Sequence, residues 1–400
     1  MKLLWWYQLH RTRMLERLRE LFPIKQRYAY FMSSASGPIP VPTYEAADRF
    51  NTMLMEEGSA AFGAWMATVK RTRESAARLL DCDSKNVAFT KNTGTGLWLA
   101  SRMIPWEPDD EIILPEHEFP SNVFPWLSLE PLGVKIKWLP PERDDLARPL
   151  VTPKSVANMV TDKTRLLAVS FVQYDDGCRR DMNELGAFCA ENDITFVVDA
   201  IQGLGALPFS ATDCKADFVA AGSQKWLLSP PGVGLLYVKQ DWLEEPWVPN
   251  LGWLSVDDPF NTELSSFASC ESRLFNSARR FEEGTPNFPG IAALGASIDL
   301  ILEEGVENIS KRIHALTNRL AGALSTLDFT VVSPRWDEYW SGIVSFHHPR
   351  ADSEQLYKMF LENGVLTTVR HGWVRVAVHF FNDESEVDRL IGLVKEYLKI

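Results

Sequence analysis

Between residues 86 and 238 the chain repeats one arrangement: a short apolar, β-branched run, a polar turn, then in several cases a helical segment. The runs are NVAFT (86–90), EIILP (111–115), VKIKWLP (134–140), RLLAVSFV (165–172), ITFVVDA (194–200), ADFVAAG (216–222) and GVGLLYV (232–238). Most are apolar throughout rather than alternating, the pattern of strands covered on both faces. Helical periodicity lies between some of them: in GLWLASRMI (96–104), from near Phe119, and in DMNELGAFCAEND (181–193). This alternation predicts an α/β fold with a mainly parallel, seven-stranded-type sheet sandwiched by helices. It also directs attention to the carboxyl ends of the strands, where sheets of this kind bind ligands.

The flanks read differently. RMLERLRELFP (13–23) spaces its apolar residues at helical intervals and stops at Pro23, and a longer helical stretch runs from about Thr43 to Leu80. After VDDPFNTELSSF (256–267), a polar linker, come the helical patterns IAALGASIDLILEEG (291–305) and VENISKRIHALTNRLAGALSTL (306–327). The strand-like YWSGIVSFHH (339–348) and TVRHGWVRVAV (368–378) and a closing helix then suggest a smaller α+β domain. The expected division is an N-terminal arm and helix (1–29), a large domain (30–262), a linker (263–290) and a small domain (291–400).

Bulk properties exclude several classes. A net charge of −12 argues against a general nucleic-acid binder or a membrane-surface protein. Five cysteines, none at a CxxC spacing, give neither a disulfide scaffold nor a thiolate metal site, and no metal is expected. The start, MKLLWWYQLHRTR, has a short apolar stretch closed by polar and basic residues, and reads as a cytoplasmic arm rather than a signal peptide. Its Trp5–Trp6–Tyr7 cluster fits a contact with another subunit or within the chain.

Four strand ends carry unusual residues. KNTGTG (91–96) opens a helix: its glycines let backbone N–H groups approach an anion at the helix N-terminus, and Thr93 and Thr95 add hydroxyls. An ordinary N-cap turn is the other reading. EHEFPSN (116–122) offers Phe119, either a stacking partner for a planar ligand or a core residue. ITFVVDAIQG (194–203) ends a buried strand with Asp199, a carboxylate that needs a cation or hydrogen bonds there, with Gln202 close behind. AAGSQKWLLSPPGVG (220–234) places Lys225 between two strands, as a solvated loop residue or as a reacting amine made nucleophilic by partial desolvation. Together they describe a single ligand with a phosphate, a planar ring, a ring nitrogen to pair with a carboxylate and an aldehyde for a lysine to capture. Pyridoxal phosphate has those parts.

With these pieces in order, the chain resembles the class V aminotransferase family, pyridoxal phosphate enzymes of fold type I that include cysteine desulfurases, isopenicillin N epimerase and kynureninase. The motifs are KNTGTG, EFPSN, VVDAIQG, GSQKWLLSPPGVGLLYV, RRFEEGTPNFPG and TVRHGWVRVAV, from about Tyr30 to the C-terminus. The resemblance implies that Lys225 carries the cofactor as a Schiff base, Asp199 pairs with its pyridine nitrogen, Gln202 bonds the ring hydroxyl and Phe119 stacks on the ring. It implies Thr93, Gly94 and Ser223 at the phosphate, with Thr285 reaching that group in a neighbouring subunit, hence a homodimer. Tyr174 falls near the ring. Arg370 is the first candidate for the substrate carboxylate and Arg375 the second, since a guanidinium suits a bidentate clamp.

Two departures stand out. Gln224 precedes the lysine where most desulfurases have histidine. No cysteine follows Cys270, whereas those enzymes carry a mobile one near the carboxylate-binding arginine. Persulfide-forming desulfurase chemistry is therefore disfavoured. The resemblance implies an enzyme acting at Cα of an amino acid, with transamination the first expectation and epimerisation or C–S/β-elimination the alternatives. A non-catalytic cofactor-binding regulatory protein on the same fold is the reading from another class.

Overall fold

The structure is a computed structural model, which describes residues 16–140, 151–257, 274–336 and 338–399, and the backbone of two short strands at 142–143 and 149–150. Trp5–Trp6–Tyr7, Cys270 and most of the linker at 256–267 lie outside the described residues.

In chain order the elements begin with a helix α1 (16–21) and a short strand β1 (Ala29–Tyr30), then two long helices, α2 (Val41–Glu57) and α3 (Phe62–Leu80). The single helical stretch expected over Thr43 to Leu80 is thus two helices; Gly58, at φ 54°, ends the first in a conformation only glycine adopts freely. The sheet region follows: β2 (Val87–Thr90), α4 (Thr93–Met103), β3 (Glu111–Pro115), α5 (Phe124–Leu127) and β4 (Lys135–Leu139). After the two-residue pair β5 (Glu142–Arg143) and β6 (Pro149–Leu150) come α6 (Pro153–Ala157), β7 (Thr164–Ser170), α7 (Met182–Glu191), β8 (Thr195–Asp199), β9 (Phe218–Gly222), β10 (Gly234–Val238) and α8 (Gln240–Leu243). The C-terminal part comprises α9 (Phe288–Glu304), α10 (Val306–Ser325), β11 (Thr330–Val331), β12 (Ile343–His347), α11 (Ser353–Glu362), β13 (Val365–Leu366), β14 (Thr368–Arg370), β15 (Trp373–Ala377) and α12 (Glu384–Leu398).

All seven expected strands form one sheet, in the order β2-β10-β9-β8-β7-β3-β4. Strands β4, β3, β7, β8 and β9 pair in parallel, while β10 runs antiparallel to both β9 and β2. The antiparallel strand follows from its connection: residues 223–233, which contain Lys225, are a shorter link than the dozen or more residues of a parallel crossover, whereas the longer link 200–217 lets β9 run parallel to β8. Alternate residues feed two cores. Phe89, Ile113, Val169, Val198 and Val219 join one buried apolar cluster, and Ala88, Ile112, Ala168, Val197 and Ala220 the other. On the second face α4 lies directly on β9: a Cβ on Gly96 would come within 2.9 Å of the Ala220 side chain.

The smaller sheet has the order β11-β12-β15-β14, with antiparallel pairing throughout. Strand β1 pairs with β13 and Ala29 and Phe31 are buried in its core, so the chain just before the sheet region packs on the C-terminal part. Conversely α9, expected to open the small domain, packs on the helices of the large sheet. Phe288 stacks on Phe50 at 5.8 Å between ring centroids and lies 5.4 Å from Trp65, and the Ser75 hydroxyl donates to Asp299 at 2.6 Å. Its apolar face is broad because both α2 and α3 cover it.

Candidate active site

A cavity of about 320 Å³ opens where the expected strand ends converge. Thr93, Gly94, Phe119, Tyr174, Asp199, Gln202, Lys225, Arg370 and Arg375 all line it. The sequence reading missed Ser34, Asn92, Ser121 and Gln224 as further lining residues. Asn92 and Ser121 sit inside motifs already singled out; Ser34 belongs to a loop that carried no signal.

The wall at α4 is the N-terminus of that helix. Asn92 caps the helix by accepting from Thr95 N at 2.9 Å, and the Thr93 hydroxyl accepts from Gly222 N at 2.8 Å, fixing the helix start against the end of β9. Gly94 presents its backbone without a side chain at the helix N-terminus.

Asp199 ends β8, buried, with Oδ1 accepting from Ile201 N at 3.0 Å and Oδ2 accepting nothing among the described residues. Burial pushes its carboxyl well above the usual range, and the Glu118 charge adds to the effect; Lys225 opposes it. Burial lowers the Lys225 amine, against the pull of Asp199 and with help from Arg375 and Arg370. Its Nζ stands 5.3 Å from the centroid of the Phe119 ring. The lysine turn is fixed from three sides. Gly37 N donates to Gln224 O at 2.7 Å, and a Cβ on Gly37 would come within 2.2 Å of Lys225 O. Buried His379 contacts Trp226 O through Nε2 at 3.0 Å. Trp226 Nε1 donates to Gln202 Oε1 at 2.9 Å, and Gln202 Nε2 donates to Ser34 O at 3.1 Å, which leaves one amide hydrogen of Gln202 free for another acceptor.

The two arginines differ. Arg375 is 2% exposed; its Nε donates to the Thr368 hydroxyl at 3.1 Å and its Nη1 to Tyr174 O, and no carboxylate pairs with it among the described residues. Burial brings its guanidinium down to about 10, still charged at neutral pH. Arg370 is exposed, with Nη1 donating to Val369 O. Two further residues expected at a phosphate, Ser223 of this chain's site and Thr285 of the neighbouring subunit's, are outside the lining of this cavity. The Ser223 hydroxyl satisfies Pro230 O at 2.7 Å in the turn after β9 and does not line the cavity. Thr285 lines a second cavity of about 450 Å³ together with Lys91, Glu283 and Asn287.

Beneath the site lies a buried ion pair that the sequence did not reveal. Arg180 Nη1 meets Glu118 Oε1 at 2.8 Å and also donates to Ser170 O; Arg180 Nη2 reaches Gln173 Oε1 at 3.0 Å. Glu118 further accepts from Ser170 N at 2.9 Å and from Asn122 Nδ2 at 3.2 Å. The pair fixes the loop that carries Phe119 to the segment that carries Tyr174.

The model of the family described as aminotransferase class-V matches residues 29–390. The chain belongs to the class V aminotransferase family. It is therefore a pyridoxal phosphate-dependent enzyme, and its cofactor is pyridoxal 5′-phosphate. The cavity fits that group: a helix N-terminus for the phosphate, a ring face at Phe119, a buried carboxyl, a buried amine, and a Ser34 hydroxyl buried without a partner among the described residues. A probable cysteine desulfurase from Pyrococcus abyssi is 28% identical over 97% of this chain and 98% of its own. The apo structure of cysteine desulfurase from Thermococcus onnurineus matches with a TM-score of 0.84 at 25% identity, over 96% of this chain and 98% of that one. A C-DES variant solved with glycine covalently linked to pyridoxal phosphate shares the fold, with a TM-score of 0.86 at 23% identity, over 95% and 99% of the two chains.

Proposed function

We propose that the protein cleaves the bond between Cβ and a sulfur substituent of an amino acid by elimination, a C–S lyase reaction. The observation that carries this reading is the cavity's cast: a buried guanidinium without a carboxylate partner, beside a buried amine and a buried carboxyl, with no thiol among the lining residues. Sulfur-handling relatives support the substrate class, since those described above at 28% and 25% identity are named cysteine desulfurases.

The cofactor, when bound, would supply an electrophilic carbon for the substrate amine and a sink for the electron pair left at Cα. Thr93 Oγ1 and Gly94 N would hold the phosphate, and Phe119 would cover the ring. Asp199 Oδ2 would hold the proton on the ring nitrogen; the carboxyl that burial makes reluctant to ionise would regain a cationic partner there. The free Gln202 amide hydrogen would serve the ring hydroxyl. Lys225 Nζ would hold the cofactor aldehyde and would take the Cα proton of the substrate, a task its lowered affinity for protons suits. Arg375 binds the substrate carboxylate in preference to exposed Arg370, because only a desolvated guanidinium gains a full charge-assisted pair. The Cβ–S bond then breaks with its electron pair on sulfur, and water converts the released enamine to pyruvate and ammonia.

Persulfide capture by a protein thiol lacks a nucleophile among the described residues. Cys82, Cys178, Cys189 and Cys214 do not line the cavity, and burial pushes the Cys82, Cys189 and Cys214 thiols up to about 12 and Cys178 higher still. The shared-subunit role of Thr285 is also proposed: the residue stands outside its own chain's cofactor cavity, as a site completed by a second copy requires. Sedimentation of the cofactor-loaded protein as a monomer would remove that role. The reaction is tested by incubating holoenzyme with S-substituted cysteines and assaying pyruvate, ammonia and thiol. All three are expected in equal amounts. Accumulation of pyridoxamine phosphate without pyruvate identifies an aminotransferase, and loss of optical rotation alone an epimerase; either overturns the elimination.

A further inference from the structure

Elimination of a thiolate needs an acid as well as a base, and Lys225 supplies the base. Phe119 cannot move a proton. Among the described residues Tyr174 is the one phenol lining the cavity, which Arg375 lines too, and the Tyr174 carbonyl accepts from Arg375 Nη1. The Tyr174 ring also meets Phe119 edge-on at 5.3 Å between centroids.

The Tyr174 hydroxyl does not stand alone. It lies 3.1 Å from His371 Nε2, and the same nitrogen lies 3.5 Å from Asp175 Oδ2. His371 and Gly372 are the two central residues of the hairpin turn between β14 and β15, at φ 53° and 79°. Such turns favour Asn-Gly or Asp-Gly because both positions need positive φ. A histidine there points to a use for its ring, which the turn holds between Tyr174 and Trp373, at 6.2 and 6.1 Å between centroids. The His371 side chain is 51% exposed, so it exchanges protons with solvent directly.

We propose that Tyr174, backed by His371 and Asp175, is the acid that protonates the departing sulfur, and that these residues form a proton relay from the cavity to solvent. The inference rests on the elimination reading above. Tyr174 O–H breaks as the S–H bond forms, the imidazolium Nε2–H of His371 returns a proton to the phenolate oxygen, and water recharges the imidazole. Asp175 stabilises the imidazolium form. Tyr174 is the catalytic residue; His371 and Asp175 position and resupply its proton. The charged groups acting on Tyr174 are Asp175 and Glu118, which with burial hold its proton on, and Arg370 and Arg375, which oppose them; Lys225 lines the same cavity.

The test compares two leaving groups. S-methylcysteine leaves a thiolate that needs a proton, whereas β-chloroalanine leaves chloride, which does not. In Tyr174→Phe, pyruvate release from S-methylcysteine should fall about 10²- to 10⁴-fold further than release from β-chloroalanine, the usual scale of a lost general acid. The visible spectrum of bound cofactor should not change. In His371→Gln, an exposed substitution, release from S-methylcysteine should fall further than release from β-chloroalanine, because the phenolate loses its proton source. The ring ¹⁵N shifts of His371, read by NMR on the full chain, should move on Tyr174→Phe. Equal losses on both substrates in either variant, or unmoved ¹⁵N shifts, would each overturn the relay. Failure of the parent enzyme to release pyruvate from either substrate would instead remove the elimination reading, and the relay with it.

Discussion

Acidification should loosen the lysine turn through one residue, His379. Its imidazole lies wholly buried between Trp226 and Phe381, at 5.4 and 5.6 Å between ring centroids. Nδ1 accepts from Phe380 N at 2.8 Å, so the neutral ring carries its hydrogen on Nε2 and donates it to Trp226 O, next in the chain to Lys225. A second proton would have to enter on Nδ1, against the Phe380 N–H. Burial accordingly lowers the ring from 6.5 to about 4, with the bond to Trp226 O a smaller opposing influence. The folded-state value lies below the unfolded one, so the unfolded chain takes up more protons between those limits and stability falls as pH drops from 6.5 towards 4. A gap of about 2.5 units at 1.36 kcal/mol each gives about 3 kcal/mol from this residue. Urea unfolding followed by tryptophan fluorescence at pH 7.5, 5.5 and 4.5 measures it, with His379→Gln as comparison: the amide still donates to Trp226 O but does not titrate. The variant should be the less stable protein at pH 7.5, and the difference should shrink or reverse by pH 4.5. The same pH slope in both proteins would refute the reasoning.

Three further outcomes follow from the site. Arg375→Gln should weaken binding of amino acid substrates by about 2–5 kcal/mol, as loss of a buried charge partner does, read in KM, whereas Arg370→Gln should do much less; the reverse order would return the carboxylate to Arg370. Asp199→Asn should lower turnover by about 10²-fold or more with the cofactor still bound, checked by steady-state rates and absorbance. Arg180→Met strands the Glu118 carboxylate in the interior and should cost about 3–5 kcal/mol of stability, while adding Glu118→Gln should restore most of it; thermal or urea melts of both variants decide.

Much of this was legible in the sequence because strand ends are where buried backbone meets chemistry. Lys225, Asp199 and the KNTGTG turn stand out against apolar runs, and the structure brings all three to one cavity. What was not legible depends on three-dimensional neighbours. Apolar periodicity has no direction, so it does not say that β10 runs antiparallel; the short connection decides that. Two arginines five positions apart look alike until one is buried at Thr368 and the other left in solvent. Ser223 sits at the right strand end, yet its hydroxyl serves Pro230 O. Glu118 and Arg180 are 62 positions apart, and His371 meets Tyr174 across 197, separations over which no local pattern speaks. Helix α9 reads as the start of a new domain because helical pattern alone does not name the surface it packs on.

The account depends on one covalent link, between the Lys225 amine and the cofactor aldehyde. Holoenzyme reduced with borohydride, digested and mapped by mass spectrometry should carry the pyridoxyl phosphate mass on the peptide containing Lys225, and Lys225→Ala should carry none. Label on another lysine, or no label on a fully loaded protein, would contradict it.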